Sequence, residues 1–180
     1  MIVAAAPVIE ELHADPKAVR AVLPDLAGVL ADCVAGGASV GFMAGFGLAE
    51  AALYFKSVFD DVAKGNVILL GARQGRRIVG TVQLGLATMP NQPHRADVKK
   101  LLVHRAARGQ GVAAALMKAV EKTARREGRR ILVLDTVTGS PADRLYTRLG
   151  WQRVGAVPDY ALWPDGSYCE TTYFYKKVAP

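Results

Sequence analysis

Two places in the sequence hold groups whose type and spacing could do chemistry. The first is Arg108-Gly109-Gln110-Gly111-Val112-Ala113, two glycines one residue apart between an apolar run and an alanine-rich one. Glycines there admit positive φ and let a ligand approach the main chain. The N–H groups of a helix's first turn have no partner inside the helix, and the dipole adds to their pull on phosphate. The pattern predicts an anion site. The second is Asp135, which closes the apolar run ILVLD. A charge is costly there unless it is paired or used, and burial would raise its pKa and make it a better base.

Other chemistries fit less well. A Walker A loop is excluded, since Gly-x-x-x-x-Gly-Lys-Ser/Thr does not occur. Gly109 to Ala114 does fit Gly-x-Gly-x-x-Ala, with Asp135 near the distance of a ribose-binding acid. However, HRAAR (104–108) separates the strand from the glycines, and too little chain follows Asp135 for a doubly wound sheet. His94 and His104 are weaker candidates for a base. No His/Cys/Asp spacing suggests a metal, and Cys33 and Cys169 read as free thiols of a reducing compartment.

The elements that must position these groups are legible from periodicity and turn residues. Asp15-Pro16 is an N-cap followed by a residue tolerated at N1, starting a helix that runs to about Val34 and stops at Gly36-Gly37. Residues 36 to 47 read as a shaped glycine-rich loop, and a second helix spans about Leu48 to Lys64. VILLGARQ and RIVGTVQLGLA form a hairpin around Gly75-Arg76. With PVIEEL as a first strand, ADVKKLLV is the fourth. A helix over residues 111 to 127 follows, carrying Val112, Leu116, Ala119 and Val120 on one stripe. Then come the strand ILVLDT, a short helix SPADRLYTRLG ended by Gly150, and the strands WQRVGAV and TTYFYKKV. This order predicts an α/β (α+β) fold with a mixed sheet of about seven strands flanked by helices, over one domain of residues 1 to 180.

Composition narrows the partner. The net charge is +7, which suits an anion, but aromatic residues are sparse and no basic run is interleaved with them, against nucleic acid. Arg125, Arg126, Arg129 and Arg130 read as a solvated helix end. No stretch is long enough for a membrane span. The apolar N-terminal run lacks a basic region before it and acidic residues follow at once, against a signal peptide. A cytoplasmic location is expected.

Three segments together resemble the GCN5-related N-acetyltransferase (GNAT) superfamily. Arg108, Gly111 and Ala113 match its Arg-x-x-Gly-x-Ala coenzyme A loop, VKKLLV looks like its fourth strand, and LYTRLGWQRVG (145–155) is similar to its closing motif. A closer likeness, to the tabtoxin resistance acetyltransferases within it, is carried by GGASVGFMA (36–44), NQPHRADVKKLLV (91–103), LDTVTGSPADRLY (134–146) and RVGAVPDYALWPDG (153–166). The resemblance implies a GNAT-like, mostly antiparallel sheet and acetyl-coenzyme A (acetyl-CoA) as cosubstrate, with no metal. It places the pyrophosphate on Arg108, Gly109, Gln110, Gly111, Val112 and Ala113, and the thioester carbonyl on an amide at Leu102 or Val103. Tyr146 then donates a hydrogen bond to the leaving thiolate. Gly139 departs from the asparagine of many members, and Ser140 is the polar side chain that could replace its contact with the pantetheine arm.

Acyl transfer to an amine also needs a base. Asp135 is one candidate; Asp97 is another, standing near the place where several members hold a glutamate. Either could act through water, and either could instead be structural. For the acceptor, the candidates are the loop GGASVGFMAG, Gln83, the stretch Asn91 to Arg95 including Arg95 itself, Asp135, and DYALWPDGSY (159–168). The implied function is acetylation of a small amine, such as a toxin or antibiotic with an amino-acid-like head. Protein or peptide acetylation and a non-catalytic acyl-CoA sensor are the alternatives. The sequence leaves a monomer and a homodimer equally open.

Overall fold

Among the described residues, seven strands form one sheet in the order β1-β2-β3-β4-β5-β7-β6. They are β1 (Val8–Leu12), β2 (Val67–Gln74), β3 (Arg77–Leu86), β4 (Arg95–Val103), β5 (Ile131–Val137), β6 (Gln152–Leu162) and β7 (Tyr168–Lys177). Every neighbouring pair is antiparallel except β4 and β5, which run parallel. The computed structural model describes residues 6–178. The first residues of the apolar N-terminal run, MIVAA, lie outside that range.

Four α-helices among the described residues cover the sheet: α1 (Pro16–Ala35), α2 (Leu48–Ala63), α3 (Val112–Arg126) and α4 (Pro141–Arg148). Alternation along the strands sorts their side chains onto two faces. On one face, Leu12, Leu69 and Leu102 pack with Leu26, Leu30 and Phe55 of α1 and α2. On the other, Val82, Ala96, Leu132, Leu134 and Phe174 pack with Leu116, Met117 and Val120 of α3 and with Tyr146 of α4. The mixed sheet and its flanking helices are those expected from the pattern.

Local chemistry sets the boundaries. Asp15 Oδ1 accepts from the amides of Lys17 and Ala18 at 3.2 and 3.0 Å, with Pro16 in the first turn. The α3 helix seats closely because residue 80 is glycine. A Cβ there would lie 2.9 Å from the Leu102 carbonyl and 3.1 Å from Val112 Cγ1. Glu121 of α3 is buried and binds Lys176 Nζ of β7 at 2.8 and 2.9 Å, while Trp151 Nε1 donates to it at 3.2 Å. Lys176 also donates to the Leu149 carbonyl at 2.7 Å, so one ion pair joins α3, β7 and the chain after α4.

One expectation needs correction. DYALWPDGSY is not a loop: β6 continues to Leu162 and β7 begins at Tyr168, leaving only Trp163 to Ser167 as a turn. Pro158 and Asp159 suggest a strand end, but β6 is the edge strand, where proline is tolerated. A register shift between Val157 and Ala161, with Asp159 at φ 52°, absorbs the irregularity. In the basic cluster at the end of α3, Arg125, Arg126 and Arg130 are exposed, as expected of a solvated helix end. Arg126 pairs with Glu11 and Glu127, and Arg129 donates to the Pro93 carbonyl.

Candidate active site

The site starts from a break in the sheet. β4 and β5 pair only through Arg95–Ile131, Ala96–Leu132 and Asp97–Val133, although β4 continues to Val103 and β5 to Val137. The cause lies in β4. Between the pairs Thr81–Leu102 and Gln83–Lys99 the strand holds one residue more than β3, and Lys100 takes φ 51°. Such a bulge bends its strand and increases the local twist, which carries the end of β4 away from β5 and leaves a slot.

Backbone groups in a strand alternate sides. His104 N donates to the Val79 carbonyl at 2.9 Å, across to β3. The Leu102 carbonyl also lies against β3, beside Gly80. Val103 is therefore the residue whose amide faces the slot, and Leu102 contributes a buried side chain instead.

Beyond β4 lies the glycine turn. Gly109 and Gly111 hold φ of 74° and 78°, and Gly111 is the N-cap of α3 with no side-chain cap. Positive φ at the glycines of a tight turn can aim successive N–H groups into one concavity that suits an anion. The first helical bond there is Ala115 N to the Gly111 carbonyl, 3.0 Å. The amides from Gly109 through Ala114 have no hydrogen-bond partner among the described residues. These residues fit a diphosphate. Arg108 plays a different part from its neighbours. Its amide donates to the Arg105 carbonyl, and its side chain turns inward, Nε to the Val103 carbonyl at 3.1 Å and Nη2 to Cys33 Sγ at 3.7 Å. Gln110 likewise braces the turn, donating to the Ala106 carbonyl and accepting from Gln74. Cys33 and Cys169 are free and buried.

Tyr146 and Asp135 lie on opposite faces of the slot. Tyr146 is 5% exposed and packs between Trp151 and Phe174, each ring centroid 5.9 Å away. Its hydroxyl has no hydrogen-bond partner among the described residues, and burial, with the charge of Asp135 adding, raises its pKa. Asp135 is on the α1/α2 face, cross-strand from Tyr173. It opens to solvent on one side, yet partial desolvation raises its pKa; Lys100 opposes that shift and Asp97 adds to it. Tyr173, opposite Asp135 on β7, donates to the Tyr160 hydroxyl at 2.6 Å.

The other expected residues separate into groups. Asp97 and Arg95 belong to each other, Nη1 to Oδ1 at 2.9 Å, and Arg95 Nε also donates to Gln92. This engages both the alternative base and the expected substrate arginine. Gln83 is 3% exposed and donates to the Tyr54 hydroxyl at 3.0 Å. Asn91 and His94 precede β4, at the end remote from the glycine turn. His104 accepts from Ala106 N and lies 3.6 Å from Asp32. Ser140 caps α4, accepting from Asp143 N at 3.2 Å, while Asp143 accepts from Gly139 N at 2.7 Å. Gly139 sits at φ 72°, a conformation glycine and asparagine both tolerate.

Lys100 is the residue that sequence reading missed. Its Nζ donates to the Val40 carbonyl at 2.6 Å and stands 5.6 Å from the Phe42 ring centroid and 6.0 Å from that of Tyr54. Burial lowers its pKa, with Asp135 opposing. The signal was present in Lys99-Lys100: adjacent residues of a regular strand face opposite sides, so one lysine must enter the structure or the strand must bulge. The loop that Lys100 holds is also fixed to the β6–β7 turn, by Ser39 Oγ to the Leu162 carbonyl at 2.7 Å and Ala44 N to the Pro164 carbonyl at 2.9 Å. Among the described residues no group of three or more His, Cys, Asp or Glu could hold a metal, and no helix is long and apolar enough to cross a membrane.

Comparison with known proteins adds a lineage to this geometry. Residues 39–151 match the acetyltransferase (GNAT) family. N-acetyltransferase 8B of Rattus norvegicus is 35% identical over 110 residues, which is 60% of this chain and 48% of that protein. The chain thus spans about half the length of this curated relative. The yncA structure from Salmonella typhimurium, which contains its cofactor acetyl-CoA, superposes with TM-score 0.75 at 16% identity, covering 97% of this chain and 95% of that one. A structure named for phosphinothricin N-acetyltransferase gives TM-score 0.76 at 14% identity, covering 97% and 100%. At these identities the likeness is one of fold.

Proposed function

This chain belongs to the acetyltransferase (GNAT) family, and on that premise we propose that it transfers acetyl from acetyl-CoA directly to the primary amine of a small molecule with an amino-acid-like head. One observation carries the reading: the run of unpartnered amides from Gly109 to Ala114, at the mouth of a slot that has an acid on one face and a phenol on the other. The resemblance of residues 36 to 166 in sequence to tabtoxin resistance acetyltransferases supports the acceptor class.

An alkylammonium has a pKa near ~10.4 and is mostly charged at neutral pH, about three units from its free base. Asp135 takes its proton, directly or through water; the raised pKa makes this carboxylate a stronger base than an ordinary one. The amides of Gly109 to Ala114 hold the diphosphate of acetyl-CoA, and Ser140 lies beside the path of its arm. The Val103 amide donates to the thioester oxygen and polarises the carbonyl. The neutral amine attacks the carbonyl carbon, a C–N bond replaces the C–S bond, and the nitrogen releases its second proton to water. Tyr146 donates a hydrogen bond to the departing thiolate, which is then protonated from water. The raised pKa of Tyr146 keeps its hydroxyl hydrogen in place at neutral pH. Holding both reactants in one geometry contributes roughly 7 to 11 kcal/mol without a covalent enzyme intermediate.

The test is twofold. Acetyl-CoA should raise the melting temperature, and a panel of amines should release free thiol. Stabilisation without turnover on any amine would assign the chain to a non-catalytic acyl-CoA sensor.

A further inference from the structure

Lys100 is an unusual residue in this cleft. Its neighbour Lys99 is exposed and leans along Gly85 of β3, 3.1 Å from Nζ to a Cβ built there. Lys100 instead adopts a left-handed backbone that L residues rarely take, and the resulting bulge carries its ammonium under the glycine-rich loop. There it has one carbonyl and two aromatic faces around it, and forms no salt bridge among the described residues. An ammonium withdrawn from water this far needs a counter-anion. Arg95 already has Asp97. Asp135 lies on the same α1/α2 face, on the β5 side of the break in β4–β5 pairing, and makes no ion pair with Lys100 among the described residues; it is the opposite charge that Lys100 feels.

Two opposite charges that face each other across a reaction cleft without touching frame a zwitterion. We propose that Lys100 is the carboxylate-binding group of the acceptor site. The acceptor is then an amino acid or close analogue, with its amine at Asp135 and its carboxylate against Lys100, beside the Tyr160–Tyr173 pair. The inference rests on the acyl-transfer reading above and names the chemistry that its acceptor must carry.

The experiment uses matched pairs differing only in the carboxylate: L-lysine and cadaverine, L-phenylalanine and phenethylamine, L-methionine and 3-(methylthio)propylamine. A hydrogen bond to a charged group contributes about 1.5–3 kcal/mol, roughly a 10- to 100-fold preference in kcat/KM for the acid of a pair. Lys100→Met should erase the preference by raising KM for the acid while the amine is little changed, and Lys100→Arg should keep part of it. Both variants should still be stabilised by acetyl-CoA. A preference that survives in Lys100→Met overturns the proposal, as does an equal loss for acid and amine, which would leave Lys100 as a support for the Val40 loop.

A second readout does not need turnover. The 15N signal of Lys100 Nζ, followed with coenzyme A present, should move on adding the amino acids and stay put with the matched amines. If nothing is acetylated but the signal moves, the carboxylate site stands and the transfer reading falls. If amines are acetylated with no preference for the acid, transfer stands and the Lys100 assignment falls. If neither occurs, both fall.

Discussion

Tyr146→Phe separates chemistry from folding at a single atom. The ring is buried against Trp151 and Phe174, and phenylalanine keeps both contacts. The hydroxyl it removes has no hydrogen-bond partner among the described residues, so no internal bond is lost and the melting temperature should change by less than about 2 °C, a stability difference within ~0.5 kcal/mol. The effect on the reaction should be much larger. A hydrogen bond to a charged group contributes about 1.5–3 kcal/mol, and the sulfur leaves as an anion. Losing the donor should lower kcat by roughly 10- to 100-fold, since 1.36 kcal/mol is tenfold in rate. Acetyl-CoA affinity should hold, because the amides of Gly109 to Ala114 are untouched. The assay is thiol release at saturating amine beside a thermal-shift titration with acetyl-CoA. An unchanged kcat would refute the role of the phenol. A loss confined to affinity would mean that it only shapes the pocket wall.

Three further outcomes follow from the geometry. Asp135→Asn should reduce kcat/KM sharply, and the wild-type rate should fall as pH drops through a pKa above the usual carboxylate range. Because that pKa is raised in the folded protein, the ionised carboxylate weakens the fold as pH rises past its unfolded value near ~3.9. The asparagine variant should therefore melt higher at neutral pH, a difference that vanishes at acid pH and that calorimetry across the range would reveal. Gly80→Val forces a Cβ against the Leu102 carbonyl and Val112, so it should cost about 1–3 kcal/mol and weaken acetyl-CoA binding by shifting the start of α3. Glu121→Ala strands the Lys176 ammonium and the Trp151 N–H and should cost about 3 kcal/mol, lowering the melting temperature by roughly 10 °C with little effect on KM.

What could be read from sequence was governed by local rules. Asp15-Pro16 starts α1, Gly75-Arg76 turns the β2–β3 hairpin, and Gly109 and Gly111 open α3, because each motif acts on its own backbone. The features that escaped depend on neighbours distant in sequence. Nothing in Pro158-Asp159 says that β6 is an edge, so the local pattern reads as an early strand end. Nothing in Lys99-Lys100 says which lysine turns inward, because that depends on the register of β3. The pairing of Arg95 with Asp97 was more accessible: residues two apart in a strand share a face, and a cation and an anion so placed satisfy each other before any ligand arrives. The structure realises the structural alternative for Asp97, pairing with a nearby arginine, and that same pairing engages Arg95, which was expected at the acceptor.

The parting of β4 from β5 also bears on traffic. A sheet that splits open is a wall with a window. On the reaction proposed above, coenzyme A docks on the α3 side, the amine comes from the α1/α2 side, and they meet in the frame. Neither reactant stands in the other's doorway, so each product can leave without waiting for the other. A molecule that joined both reactants covalently would be threaded through the wall, with a bulky part on each side. Such a compound should escape far more slowly than either half alone.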